Sequence, residues 1–521
     1  MKKVLLMLVA FVATMSMSAE TIKTGGWNAT FTPVEADDTE DLDAPKTAVA
    51  SDGSVFVAST YTKAFTFAGK ALSDPEDMIS SCIVKYNNKG EEQWAISFVG
   101  NATITAMTTD GEGALYVAGG FDDEVKYTGT DDATASINSG EGGLSAFVAK
   151  INKDGKFEAV KVIKSSVNAE IYAIEGDPYD MGFDMPLYDL SGNDPMYVQP
   201  TSIMVAGDKV YVSATYTGDV EELGWKGAYC NYFDMMVFDM RSMGIFSMSK
   251  ADLSAPQNVA YAQTTGTVTY GTQNWPESFK FVIKSKKLYA LLYGFGSLTV
   301  TTAAGAQDVV FDSDFEGNNE HGIALFRIDG NNNRPLVFHA AIAEAPLSAT
   351  YSITDVDAYA GTLLFAGTFH GDFPLTKEVE TNTFDAAYVA AIDLGASEVK
   401  WTQLQTTESK SVGMDVTGEE IHAVSTLGMT GYKTATGEVK GSEEIKASDG
   451  ASCDDAYVAY VYVDGTDVKV VAPEINVDTA VESIDLPSAE TNGQRVNLAG
   501  QPVDDSYKGI VIEDCKMFYA K

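Results

Sequence analysis

Histidine and cysteine are scarce in this chain, with four of each in 521 residues. Nucleophilic triads and zinc sites are built mainly from those groups, so both chemistries have little to work with here. No nucleophile elbow, phosphate loop or zinc signature occurs. His321, His339, His370 and His422 fall in separate stretches without ligand spacing and read as strand or loop residues. Cations are the next shortage: 35 Lys and Arg stand against 74 Asp and Glu, a formal charge of -39. A surface that acidic repels phosphate backbones and anionic headgroups, which excludes nucleic acid as a partner. Long apolar runs are also missing. Beyond the N-terminus nothing approaches the roughly 18 uninterrupted apolar residues of a membrane helix, so no transmembrane segment is expected.

What the chain does have begins with an export signal. Lys2 and Lys3 precede the apolar run Val4 to Val12, and small residues follow to Ala19. Residues 1–19 therefore read as a cleavable signal peptide. No cysteine follows the cleavage point, which argues against a lipid anchor. Residues 20–45 hold one strand-like patch, Trp27 to Phe31, and an acidic run, Glu35 to Asp43, read as a solvated linker.

From about residue 46 a pattern recurs. An aromatic-centred apolar strand starts at Val55, Leu115, Val210, Leu288, Leu363 and Ile421, often after an Asp-Gly or Gly-Asp turn where positive φ costs little. After a variable connection a second strand follows, as in Cys82-Ile-Val-Lys-Tyr86, Phe147-Val-Ala-Lys-Ile151 and Tyr457-Val-Ala-Tyr-Val461. Most copies then turn at Gly90, Gly155, Gly330 or Gly465 into a last strand, marked by Trp94, Phe157 or Trp401. The expected fold is all-β: a single β-propeller of about six four-stranded antiparallel blades over 46–473, with a long insertion at 165–200. Trp27 to Phe31 reads like the outer strand Trp94 to Phe98 and is a candidate to close the ring, although the sixth unit already has Val468 to Val471 in that place.

The detailed motif of strand, Gly-x-aromatic, aromatic-Val-Ala-Lys, Asn or Asp-Gly turn and Trp strand resembles a bacterial β-propeller repeat family of secreted proteins. That resemblance implies a fold and little about activity. Residues 481–521 differ: Asn497 to Val503, Tyr507 to Ile512 and Lys516 to Lys521 form three short strands ending in a basic residue. They resemble the sorting domains read by the type IX secretion machinery of Bacteroidetes, although Cys515 stands where the family has a turn glycine. The resemblance implies the secretion machinery as a partner and the outer surface or medium as the destination, with the periplasm as the alternative. A small hairpin packed on the propeller is the competing reading.

Two constellations are candidate sites. Asp312, Asp314, Glu316 and Glu320 place acids at alternating positions around Gly317, a loop able to wrap Ca²⁺, which takes about six to eight oxygens. Ile323 stands where an EF-hand has its bidentate Glu, so the loop is similar instead to calcium hairpins of other propellers; a solvated hairpin tip is the alternative. Tyr179, Phe183, Tyr188, Tyr197, Trp225 and Tyr232 concentrate aromatics near acids, a surface suited to an extracellular protein or glycan ligand, or else packing for the insertion. The cysteines form no disulfide framework; a Cys82–Cys453 bridge between neighbouring units stays open.

With 74 acids, carboxylate pairs alone say nothing about catalysis. The expectation is a non-enzymatic binding or adhesion module. The alternative is a glycan-active hydrolase or lyase using carboxylates in the central cleft. The feature that separates them is whether several carboxyls converge there with perturbed pKa.

Overall fold

The computed structural model describes residues 21–41, 44–75, 80–139, 143–166, 196–232, 236–265, 275–284, 286–311, 321–328, 336–342, 350–371, 373, 375, 382–417, 419–444, 450–454, 457–478, 496–497, 509–513 and 516–520. The chain divides into two compact bodies, Thr24–Ile475 and the two ends, Met1–Lys23 with Asn476–Lys521. In the smaller body Val496–Asn497, Gly509–Glu513 and Lys516–Ala520 form a three-stranded antiparallel sheet. No helix among the described residues is long and apolar enough to cross a membrane.

Among the described residues the larger body holds seven four-stranded antiparallel repeats. Repeat one runs Lys46–Val49, Val55–Tyr61, Ser80–Tyr86, Glu92–Val99, and repeat two Ala102–Thr109, Leu115–Phe121, Ser145–Ile151, Phe157–Ile163. Repeat three is Val198–Ala206, Lys209–Tyr216, Ser242–Ser249, Gln257–Thr264, and repeat four Pro276–Lys284, Lys287–Thr302, His321–Ile328, Leu336–Ile342. Repeat five is Thr350–Tyr359, Thr362–Gly371, Asn382–Asp393, Glu398–Leu404, and repeat six Ser411–Thr417, Glu420–Ser425, Gly428–Lys433, Val439–Glu444. Repeat seven is Gly450–Asp454, Tyr457–Asp464 and Asp467–Ala472, completed by Trp27–Phe31.

The count of about six is thereby corrected. Repeat six joins its second and third strands through Thr426 and Leu427 alone, so it lacks the long connection that marks repeats one to five. Tyr457–Asp464 consequently read as its third strand, whereas it is the second strand of a further repeat. Trp27–Phe31 pairs antiparallel with Val468–Ala472 and supplies that repeat's fourth strand. The insertion also ends sooner than expected, because Val198 already begins the first strand of repeat three.

The second and third strands of repeats one and two are apolar throughout much of their length because both faces are covered; Val55–Tyr61, Ser80–Tyr86 and Leu115–Phe121 are buried at every position. What covers them is the neighbouring repeat. Phe56, Ile96 and Phe98 of repeat one pack on Val117, Phe121 and Phe147 of repeat two. Tyr116 and Val148 pack on Val210 and Trp225 of repeat three, and Leu364 and Val389 of repeat five on Met414 and Tyr432 of repeat six. Val57 and Val84 of repeat one meet Val461 and Val470 of repeat seven. The first strands follow the same order, each touching that of the next repeat, and Gly450–Asp454 of repeat seven touching Lys46–Val49 of repeat one.

A second recurrent contact fixes the outer strands. Trp27 of repeat seven lies over Gly90 of repeat one, Trp94 of repeat one over Gly155 of repeat two, and Trp401 of repeat five over Gly437 of repeat six. Each glycine sits in the turn between third and fourth strands with φ of +78°, +82° or +71°, and an added Cβ would come within 2.9 Å of the indole. The Asn87 and Asn152 carboxamides shape two of these turns by accepting backbone N–H bonds from residues two and four further on. Trp94 and Trp401 also donate Nε1–H to the carbonyls of Lys153 and Thr434, both at 3.1 Å.

The variable connections cover open edges. Glu124–Thr128 and Thr134–Asn138 of repeat two form a hairpin that pairs with the outer strand of repeat one. The far half of Lys287–Thr302, with Gly305–Phe311, does the same for Gln257–Thr264 of repeat three. Pairing an exposed edge in this way removes a template for aggregation.

Trp94→Ala is expected to destabilise the larger body by about 3 kcal/mol in urea unfolding, because it removes both the indole packing and the bond to Lys153. A change below about 0.5 kcal/mol would show that the contact between tryptophan and turn glycine is not a structural clamp.

Candidate active site

The first strands carry the polar chemistry of the larger body. In repeats three to six each contains a register shift: between Pro200 and Ser202, Pro276 and Ser278, Ile353 and Asp355, and Ser411 and Gly413. A bulge of this kind inserts one residue and re-aims the side chains after it. Past the bulge at Thr354, Val356 and Ala358 are buried in the cluster shared with repeat four. Alternation along a strand then sends Asp355 and Asp357 to the opposite face, toward the first strand of repeat six.

There they meet backbone donors. Met414 N–H donates to Asp355 Oδ2 at 3.2 Å, and Val356 N–H to Asp355 Oδ1 at 2.9 Å. Asp357 Oδ1 accepts from Ala358 N–H at 2.6 Å, and Asp415 Oδ1 from Val416 N–H at 2.6 Å. The Asp357 and Asp415 carboxyls are hydrogen-bonded to each other. On the other side, Lys280 of repeat four donates Nζ–H to the Thr201 carbonyl at 2.8 Å and lies close enough to Asp355 and Lys46 to feel both charges. All three carboxyls and Lys280 are half-buried.

Burial is the main force on these groups. It pushes Asp355 up to about 6, against the Met414 N–H, the Lys280 ammonium and the Val356 N–H; the Asp357 charge adds to the rise. Asp357 is raised for the same reason, opposed by Ala358 N–H, Lys284 and Asp415. Burial lowers Lys280, and Lys46 adds to that, while Asp355 opposes it. The first strands of repeats four to six therefore carry an acid raised to about 6, a second acid that burial also raises, and a lysine whose charge acts on the first.

The residues singled out from the sequence lie elsewhere. Asp312, Asp314, Glu316 and Glu320 are outside the described residues, as are Tyr179, Phe183 and Tyr188. Among the described residues no three His, Cys, Asp or Glu side chains are grouped to hold a metal ion. Tyr197 is half-buried just before the first strand of repeat three, and Tyr232 ends the strand Ala228–Tyr232. Trp225 is corrected: it is fully buried, tilted against Tyr216 and edge-on to Phe246, with Nε1–H donating to Asn258 Oδ1 at 2.9 Å, so it is core and presents no ligand surface. Cys82 is a buried free thiol, which removes the Cys82–Cys453 bridge. His321 is likewise core, bonded through Nδ1 to the Tyr293 hydroxyl at 2.6 Å.

A cavity of about 600 Å³ between repeats two and three is lined by Lys150, Lys209 and Lys250 among others. Its cations already have partners, Lys150 with Glu158 at 2.8 Å, Lys250 with Asp110 at 2.9 Å and Lys209 with Gln257 at 3.3 Å.

No protein-family model matches the chain, and no curated protein matches it. Among solved structures it is similar to the GH93 α-L-arabinofuranosidase of Fusarium graminearum in complex with arabinobiose, at 10% identity and a TM-score of 0.38, covering 82% of this chain and 98% of that one. It is similar also to the quinohemoprotein alcohol dehydrogenase of Comamonas testosteroni, at 11% identity and a TM-score of 0.31, covering 84% and 77%. Saccharomyces cerevisiae Sqt1 is a third, at 9% identity and 0.33, covering 72% and 96%. The expectation of a non-enzymatic binding or adhesion module is corrected here. GH93 arabinofuranosidases stand among the similar structures, and two acids raised by burial, Asp355 and Asp357, lie beside Asp415 on the first strands of repeats five and six.

The raised Asp355 has a consequence for stability. Its favourable contribution is complete below the unfolded carboxyl value and is lost as pH rises through about 6. Asp355→Asn removes that loss, so its stability relative to wild type should rise between pH 4 and pH 8 by on the order of 2–3 kcal/mol. Urea unfolding at both pH values measures it; a constant gap would mean that Asp355 titrates as an ordinary carboxyl.

Proposed function

We propose that the seven repeats form one seven-bladed β-propeller and that its centre hydrolyses a glycosidic bond of an extracellular glycan. The cyclic contacts of the first strands support the first part. The observation that carries the second is the meeting of Asp355, Asp357 and Asp415 on adjacent first strands, with Asp355 raised to about 6 and Asp357 raised beside it.

Glycoside hydrolysis needs one carboxyl that is protonated and one that is ionised on opposite sides of the scissile bond. Asp355 is the proton donor in this reading: it gives its proton to the leaving oxygen as the C–O bond breaks. The ionised member of the Asp357–Asp415 pair takes a proton from the attacking water or bonds the anomeric carbon itself, while Lys284 balances its charge. A lyase would instead leave an unsaturated sugar that absorbs in the ultraviolet.

Purified protein incubated with a panel of polysaccharides should release new reducing ends without that absorbance. Asp355→Asn should lower kcat about 100-fold or more, and wild-type kcat should fall above about pH 6 as the acid loses its proton. Release of no reducing ends from any glycan, or an undiminished Asn variant, would overturn the assignment.

Export through the C-terminal body is proposed on the sequence resemblance alone. In a Bacteroidetes host the full chain should reach the surface or medium, and a form lacking residues 481–521 should stay in the periplasm. Equal surface amounts of the two would refute it.

A further inference from the structure

We propose that the cavity between repeats two and three is a binding site for a neutral oligosaccharide, separate from the first-strand acids. The inference goes beyond the hydrolase reading and does not depend on it.

The cavity lies at a seam that departs from the others. Lys85 faces Trp94 across its sheet and Ala391 faces Trp401, each just before a register shift, and both indoles cover a turn glycine of the next repeat. Lys150 stands in the same place in repeat two, but the residue it faces is Ala159. The turn of repeat three on that side also differs: it runs over 250–256 without a glycine, against 87–91 and 152–156 in repeats one and two. Polar bonds hold this seam instead. Lys250 pairs with Asp110 at 2.9 Å, the Tyr116 hydroxyl donates to the Lys250 carbonyl at 3.3 Å, and Lys150 donates to the Ala251 carbonyl at 3.2 Å. The opening beside that turn measures about 600 Å³, within the roughly 300–1,000 Å³ of small-molecule sites.

The walls decide the ligand. Lys150, Lys209 and Lys250 line the cavity with Glu112, Asp208 and Gln257. Glu158 and Asp110, bonded to Lys150 and Lys250, bring the carboxylates to four against three ammonium groups. An anion therefore finds no unbalanced cation, and a cation is opposed by the three ammonium groups on the walls. An apolar ligand would strand polar groups that cost about 1–3 kcal/mol each when left unpaired. A polyol meets both needs, because each hydroxyl can donate to Glu112, Asp208 or Gln257 and accept from a lysine. Lys209 bonds the neutral Gln257 carboxamide at 3.3 Å, and an ammonium keeps two further donors for such a ligand. Ala251 and Ala255 supply apolar contact for the C–H face of a sugar ring. The turn is braced before any ligand arrives, which spares ordering cost on binding. Lys250 N–H donates to the Asp208 carbonyl at 2.8 Å, Leu253 N–H to the Ser249 carbonyl at 2.9 Å, and Ser254 to Asp252 Oδ1 through both its N–H and its hydroxyl.

Calorimetry on the Asp355→Asn protein, which removes turnover by the proposed centre, tests this. The probes are cellotetraose, xylotetraose, mannotetraose and maltotetraose, with tetragalacturonate as the charged control. At least one neutral probe should bind, and Lys209→Met with Gln257→Ala should weaken it about 10-fold or more while the midpoint of urea unfolding stays unchanged. Should the double variant fail to fold, Gln257→Ala alone, at an exposed position, decides. Binding of no neutral probe, binding untouched by these substitutions, or tighter binding of tetragalacturonate than of every neutral probe overturns the inference. Binding that depends on Lys209 and Gln257, in a protein whose wild type cleaves no glycan, keeps this site and removes the hydrolase; cleavage without such binding does the reverse.

Discussion

The larger body depends on the exchange of apolar faces between consecutive repeats. Each four-stranded sheet is too small to bury both of its own surfaces, and its alternating side chains are covered by the sheets before and after it. That one constraint accounts for the apolar second and third strands, for the tryptophans set over turn glycines, and for first strands gathered in cyclic contact. It also explains where polarity can go. The first strands have a neighbour on each side but no sheet beyond them, so it is there that the structure tolerates Asp355, Asp357, Asp415 and Lys280.

Those groups are held by backbone as much as by one another. Asp355 spans two repeats, accepting from its own strand and from Met414 of the next, so the angle between repeats five and six sets the geometry of the acid. The packing of repeat five on repeat six thus acts on this acid through main-chain donors, which carry no side-chain entropy and hold the carboxyl in place.

Much of this architecture was legible in the sequence because burial on both faces writes a continuous apolar run, and because Trp94 and Trp401 recur at matching places. The seventh repeat was hidden for two physical reasons: Thr426 and Leu427 shorten the connection that marks repeats one to five, and its fourth strand comes from the far end of the chain. The candidate site was hidden more deeply. Asp355 and Asp357 form an ordinary Asp-Val-Asp in a chain rich in acids, and only the bulge at Thr354 decides which face they take. The visible signal was acids alternating with buried Val356 and Ala358 on a strand, a pattern that has meaning only once the neighbouring strand is known. Trp225 misled in the opposite sense, since an aromatic beside acids in sequence is here enclosed by Tyr216 and Phe246.

The strand Trp27–Phe31 has a bearing on how this chain comes into being. It is made almost first, yet its partner Val468–Ala472 is made hundreds of residues later, and Thr32 Oγ1 reaches Asp467 Oδ1 at 2.6 Å across 435 positions of sequence. Six sheets can form as they emerge, each on the one before, but the last one keeps an open edge until the beginning of the polypeptide returns to it. Loop closure over such a span is slow compared with local pairing. The finished molecule is then latched by its two distant segments, so that pulling Trp27–Phe31 away strips the seventh sheet of its fourth strand while the hydrogen bonds within the other six sheets stay in place.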